Sequence, residues 1–361
     1  MNGKIFLYRV FDIGPDVNPE KVQNRFMSDV SAQRFKLAKS SRAMIINNAP
    51  LALTLEGGKF ESLGLKLDYE VSAKIWHFGA LSINIQMNIP SDLSWQKLIE
   101  LGSFLENDKG MHDIAVQKTK QILASMDPVR SRVIDWETYE DYILYFFKSL
   151  PGTEVNAWAV FQNYDVYRLI LSEQTEVLSE QVKKTIADGA LQYGQNDLAV
   201  INWNSALIIE PSGLPDIPDV IEFSLCQLLE MRYYDDLLDT KLADLYNELG
   251  TKKRGVWETY AERLSREAAQ RYLEISETVE SVENSLKVVG DFYLAQIFRT
   301  ASSRFRFNDW RDSVDQKLNN LAQISKILTS EVNERRNHIL EIIIIILIAI
   351  EVVPYLGKLL F

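Results

Sequence analysis

FGALSINIQMNIPSDLSWQKLIELGSFLEN, Phe78–Asn107, changes its period halfway along. Up to Ile89 every second residue is apolar (Leu81, Ile83, Ile85, Met87), the alternation of a strand with one face toward a core. Beyond Pro90, Trp95, Leu98, Ile99 and Leu105 recur at helical spacing, and Ser94 stands where an N-cap belongs. One short stretch thus carries a strand followed by a helix.

Working outward, Lys4 to Asp12, Ala43 to Leu55 and Leu65 to Ile75 share the strand-like pattern, which makes the first half sheet-rich. Helices are predicted at about 94–107, 112–126 and 135–150, the last preceded by Asp135, and Pro151-Gly152 then breaks the chain. A second group places strands near Ala157 to Leu171 and Leu198 to Ile209, separated by a helix opened by Ser179, and a long helix begins near Asp216. The fold class is α+β, with a sheet-rich region over 1–150 and a second α+β region over 151–250.

Between Tyr272 and Tyr293 the residues Tyr272, Ile275, Val279, Val282, Leu286 and Val289 alternate steps of three and four, a coiled-coil seam. A second seam runs through Val314, Leu318, Leu321, Leu328 and Val332. Arms over about 271–299 and 311–338 around one break predict an antiparallel helical hairpin within 251–338, about 40 Å long. Its tip, 300–310, is flanked by Arg299 and holds Arg304, Phe305, Arg306, Phe307 and Trp310, with Arg311 following. This basic and aromatic group is the candidate partner-binding surface, for RNA, a ribosome or an acidic protein.

The chain ends ILEIIIIILIAIEVVPYLGKLLF, Ile339 to Phe361, about 34 Å long as a helix against a hydrocarbon core of about 30 Å. It is read as a single C-terminal transmembrane helix, with Arg335 and Arg336 holding its start on the cytoplasmic side. Glu351, Pro354 and Lys358 exceed what an anchor needs, and a carboxylate at mid-span asks for a partner, so the spans are expected to self-associate.

The 361 residues are 47% hydrophobic and 25% charged, which suits a folded chain of one or two domains. The net charge of −11 belongs mainly to the first 250 residues and disfavours wholesale nucleic-acid binding there. Cys226, the one cysteine, lies in an apolar run and reads as a buried thiol, without a disulfide framework. His77, His112 and His338 have no metal-ligand spacing, and no Walker loop, Rossmann glycine series, nucleophile elbow or HExxH occurs, so no cofactor and no enzyme activity are expected. Asp235 and Asp239, four apart on the helix from Asp216, form a weak candidate for a divalent cation, with Arg232 and Lys241 near enough to neutralise them.

The segment Asn196 to Asn247, above all QLLEMRYYDDLLD at Gln227–Asp239, resembles the family called required for meiotic nuclear division, or domain of unknown function 155, as does ILEIIIIILIAIEV at the C-terminus. The resemblance runs from about Trp158 to the end. It implies a membrane-anchored, non-enzymatic scaffold, mitochondrial members being associated with organellar translation. Without an Arg- and Ser-rich presequence, a bacterial-type inner membrane is expected before a mitochondrial one. The expected function is a tail-anchored, self-associating scaffold, bulk facing the cytoplasm, whose partners are itself, the lipid bilayer and a protein or ribonucleoprotein at the hairpin tip. An ion channel or transporter subunit with a CorA-like layout is the alternative, although one span and no GMN motif depart from that pattern. A metal-dependent hydrolase built on Asp235 and Asp239 is the second alternative.

Overall fold

A computed structural model describes residues 1–14, 32–34, 44–46, 49–126, 139–251, 257–284, 286–288 and 292–360. Within the described residues the chain forms two compact units, one of residues 1–233 and 279–310, the other of 234–278 and 311–361.

The first unit is built on a nine-stranded sheet. Its strands are β1 (Asn2–Asp12), β2 (Ala32–Arg34), β4 (Leu51–Ser62), β5 (Leu65–Ile75), β6 (Ala80–Ile89), β7 (Tyr139–Ser149), β8 (Ala190–Leu191), β9 (Leu198–Ile201) and β10 (Ser205–Ile209), in the order β2-β4-β5-β6-β1-β7-β10-β9-β8. Neighbours are antiparallel except β7 and β10, which pair in parallel from Ser205 opposite Ile143. A parallel pair needs a long crossover. Residues 150–204 supply it, through a 3-10 turn at Ala157–Ala159 and the short helices α3 (Val160–Asn163), α4 (Val166–Leu171) and α5 (Glu180–Asp188). A separate short ladder pairs β3 (Met44–Ile46) with β11 (Leu286–Val288).

Strand alternation splits the sheet's side chains between two faces. Ile5, Leu7 and Phe11 of β1 join Val71, Ile83, Ile143 and Phe147 in an apolar core with helices α1 (Trp95–Asn107) and α2 (Lys109–Met126) and the crossover. Phe6, Tyr8 and Val10 lie on the other face, beside α6 (Asp216–Thr251), where Trp76 and Phe78 meet Phe223. Capping follows the sequence reading: Ser94 Oγ accepts from Lys97 N–H at 3.2 Å and Ser179 Oγ from Val182 N–H at 3.3 Å.

The second unit contains the end of α6, helix α7 (Trp257–Asn284) as far as Thr278, and α9 (Phe307–Leu360) from Arg311 onward. Val314, Leu318, Leu321, Leu328 and Val332 are buried along α9, as are Ile275 and Ser265 of α7. The seam has one polar layer, Ser265 with its hydroxyl 2.7 Å from that of Thr329 and donating to the Ser325 carbonyl at 3.1 Å.

Three expectations are corrected. Residues 135–150 were expected to be helical, but Tyr139–Ser149 is the interior strand β7, and 135–138 lie outside the described residues. Tyr142 to Phe147 is a continuous run of aromatic and branched apolar residues, which suits a strand covered on both faces and hides its period. Ala157–Leu171, expected as a strand, folds as short turns and helices, with Asn156 and Asp165 capping them. The expected arm 271–299 is interrupted: α7 ends at Asn284, β11 intervenes, and helix α8 (Phe292–Arg304) follows.

The single transmembrane helix is also corrected. Among the described residues no helix is long and apolar enough to cross a membrane. The run Ile339–Ile350 rises about 18 Å, short of about 30 Å of hydrocarbon, and the turns before it are charged. The expectation of a tail-anchored, single-pass membrane protein with its bulk facing the cytoplasm, at a bacterial-type inner membrane, falls with it. Arg336 is exposed on α9, whereas the side chains of Arg335, Glu351, Pro354 and Lys358 lie outside the described residues.

Candidate functional site

The two-residue link between α8 and α9 brings the predicted tip residues to one end of the sheet. Phe305 N–H donates to the Ala301 carbonyl at 2.9 Å and Arg306 N–H to that of Ser303 at 3.1 Å, which closes α8. The Arg306 carbonyl then accepts from Asp309 and Trp310 N–H groups, which opens α9. To serve both ends Arg306 adopts a left-handed backbone, φ 56°, a conformation in which glycine is favoured and a side chain is strained. Phe305 is buried edge-on against Tyr142, ring centroids 5.5 Å apart.

This link forms one wall of a pocket of about 480 Å³. The first residues of β7, Glu140 to Ile143, form its floor, and Leu228 and Arg232 of α6 stand beside them. The β9–β10 turn contributes Trp203 and Asn204, and the last turn of α1 contributes Glu106. The turn is tied to the floor, because Tyr142 Oη donates to the Asn202 carbonyl at 2.9 Å and Ile143 N–H to that of Asn204 at 3.1 Å. At its apex Trp203 has no core to reach and is 68% exposed.

The charges within this pocket are unequally answered. Arg232 pairs with Glu140 and lies over the Trp310 ring, 5.7 Å from its centroid. Burial pushes the Glu140 carboxyl up to about 7 against the pull of Arg232. Glu106 accepts from Asn204 Nδ2 at 2.5 Å, while Asn204 Oδ1 is buried with no hydrogen-bond partner among the described residues. Arg306 Nε donates to Asp309 at 2.7 Å. Arg304 donates to the Thr185 carbonyl at 3.3 Å and makes no ion pair among the described residues.

Other expected sites are placed elsewhere. Asp235 and Asp239 both bind Lys317 Nζ, at 2.8 and 2.7 Å, and Ser313 Oγ donates to Asp235 at 2.6 Å. Their counter-ion comes from α9 rather than from the neighbours in sequence, and among the described residues no cluster of His, Cys, Asp and Glu could hold a metal. Arg299 is exposed, Phe307 is the first residue of α9, and Arg311 lies 4.0 Å from Asp315. Cys226 is a buried thiol, as its apolar run implied.

A polar seam under α6 was not anticipated. Lys74 of β5 donates to Asp219 at 2.7 Å and to Glu222 at 2.6 Å, all three buried or nearly so. Burial alone would lower the pKa of the ammonium group, but the two carboxylates outweigh it and hold the value above normal. One cation cannot fully answer two buried carboxylates, and burial carries Asp219 up to about 6. Further along, Glu230 is 0% exposed and neither carboxyl oxygen has a hydrogen-bond partner among the described residues. Sequence reasoning also missed Glu106, Glu140, Trp203 and Asn204. Only Trp203-Asn204, a tryptophan in a polar break between two apolar runs, left a signal.

Fold and site together define an α+β protein with helices on both faces of a mostly antiparallel sheet and, at one end of it, a pocket lined by the three arginines Arg232, Arg304 and Arg306, the three carboxylates Glu106, Glu140 and Asp141, and the indoles of Trp203 and Trp310. The family model described as "Uncharacterized protein MJ0711, N-terminal domain" matches residues 2–216, more than half of the chain, and the chain belongs to that family. "Uncharacterized protein MJ0711" of Methanocaldococcus jannaschii is 22% identical over 276 residues, 76% of this chain and 80% of that protein. Neither match names an enzyme. No solved structure matches the chain.

Proposed function

We propose that the chain is a binding module, a scaffold whose pocket receives an acidic group of a protein or ribonucleoprotein partner. The observation that carries this is Arg304, a cation with no ion pair among the described residues, in one pocket with Arg232, Arg306 and two indoles. Arginine and tryptophan are the side chains that most often anchor interfaces. The resemblance of Gln227–Asp239, which contains Arg232, to the required-for-meiotic-nuclear-division family supports a scaffolding role. The net charge of −11 repels polyanions at long range, so retention of one would require a local site. Immobilised poly-glutamate should retain the full chain at low salt and release it as salt rises. Arg304→Glu combined with Arg306→Glu should abolish retention, and retention unchanged by that pair would refute the reading.

Self-association is the second part of the proposal. The large apolar residues of Ile339–Ile350 are 46% to 65% exposed on every side of α9. They also continue by sevens from the buried Val332 through Ile339 to Ile346, so the helix keeps in register a seam it already uses. A second copy of the same helix is the proposed cover. Sedimentation of the full chain beside 1–338 tests this, and equal masses for the two would sink it.

A further inference from the structure

Arg304 lines the pocket, yet its guanidinium lies against the C-terminal end of α5. That helix closes without a cation of its own, since its last turn holds no basic residue and ends on Asp188. Its final N–H is diverted too: Gly189 N–H donates to the Ile186 carbonyl at 3.2 Å, where an unbroken helix would pair it with that of Thr185. The Thr185 carbonyl accepts instead from Arg304 Nη2 at 3.3 Å. Carbonyls at this end of a helix carry partial negative charge, which stabilises a cation brought in from another element. Gly189 makes the approach possible. A Cβ built on it would lie 3.0 Å from Arg304 Cζ and 3.4 Å from Nε, and closer still to Nη2. The backbone there has φ −89°, which residues with side chains adopt, so the close approach rather than the turn calls for glycine.

Resting on the reading of Arg304 as a receiver of the partner's acidic group, we propose that α5 holds this arginine in an autoinhibitory latch: the Thr185 carbonyl occupies the guanidinium, and the ligand must draw it away. An arginine offers a carboxylate two forks, Nε with Nη2 and Nη1 with Nη2. Both use Nη2, the nitrogen that α5 holds. Binding at the pocket and closure of α5 therefore compete, and by reciprocity a ligand that takes Arg304 loosens the end of α5. A surface cation at a helix C-terminus is held strongly enough to lower the apparent affinity by about two- to fivefold.

Gly189→Ala tests the latch. Its methyl meets the far end of a flexible side chain, so it should push the guanidinium off α5 and leave the fold intact, which thermal unfolding checks. The full-length variant should bind poly-glutamate about two- to fivefold more tightly than the natural chain and release it at higher salt. Adding Arg304→Ala should remove that gain. A second measurement uses the natural chain and decides the question if the variant does not fold: saturating poly-glutamate should speed amide hydrogen exchange at the end of α5, residues 185–189. Unchanged or weaker binding by folded Gly189→Ala, a gain that survives without Arg304, or exchange in α5 that ignores bound poly-glutamate overturns the latch. If the natural chain retains poly-glutamate through Arg304 and Gly189→Ala adds nothing, the latch falls and the docking reading stands. If neither chain binds, both fall.

Discussion

Glu230 offers the sharpest test of the structure. Its side chain is fully buried in the part of α6 that belongs to the first unit, and neither oxygen has a hydrogen-bond partner among the described residues. Burial raises its pKa well above the ordinary carboxyl value, and the negative charge of Asp12 adds to the rise. The native state therefore keeps a proton that the unfolded chain releases above about pH 4.3. Stability from this group is complete below that point and is lost as pH rises toward the folded-state pKa, at about 1.4 kcal/mol per pH unit. Glu230→Met keeps the length of the side chain and has no proton to hold. The variant should therefore gain on the natural chain as pH rises from 5 to 7. Urea unfolding at those two pH values, taken as a difference between the two proteins, cancels the titration of Glu140 and Asp219 elsewhere in the unit. A stability difference that does not change with pH would mean that Glu230 is ionised through a partner or reached by water, and the reasoning would be refuted.

Lys74→Met should destabilise the first unit by about 3–5 kcal/mol near neutrality, because it leaves Asp219 and Glu222 buried without their cation. The loss should shrink on acidification as Asp219, whose carboxyl burial carries up to about 6, takes up a proton, and urea unfolding across pH 4 to pH 7 measures it. Arg306→Gly should stabilise the chain by about 1 kcal/mol, since glycine adopts the left-handed backbone without strain, while weakening retention on poly-glutamate. Chemical unfolding and the retention assay, run on the same protein, separate the two effects.

How far the sequence could be read depended on whether an element meets water. β5, α1 and α5 were legible because one side of each is exposed, so polar residues mark the period and Ser94 and Ser179 mark the helix starts, and β6 because Ser82, Asn84, Gln86 and Asn88 alternate with its apolar residues although the strand is mostly covered. β7 was not, because both of its faces are covered and its run of Tyr, Ile, Leu and Phe carries no alternation. The tip residues Arg304, Phe305, Arg306 and Trp310 were found from composition, as a basic and aromatic group in an acidic chain. Their partners in the pocket come from four other elements.

By itself the sequence determined the α+β class, the caps at Ser94 and Ser179, the seam from Val314 to Val332 and the Arg-aromatic link, since each rests on residues within a few turns of one another. Only the tertiary structure decided that β7 sits between β1 and β10, that Lys317 rather than Lys241 answers Asp235 and Asp239, and that the link is a pocket wall instead of a free tip. It also overturned the transmembrane helix, a reading that counted apolar length along the whole tail. The physical reason is common to all of these. Local periodicity records which side of an element is wet, but not which distant side chain is brought beside it, and charge pairing, burial and the pocket depend on that second fact.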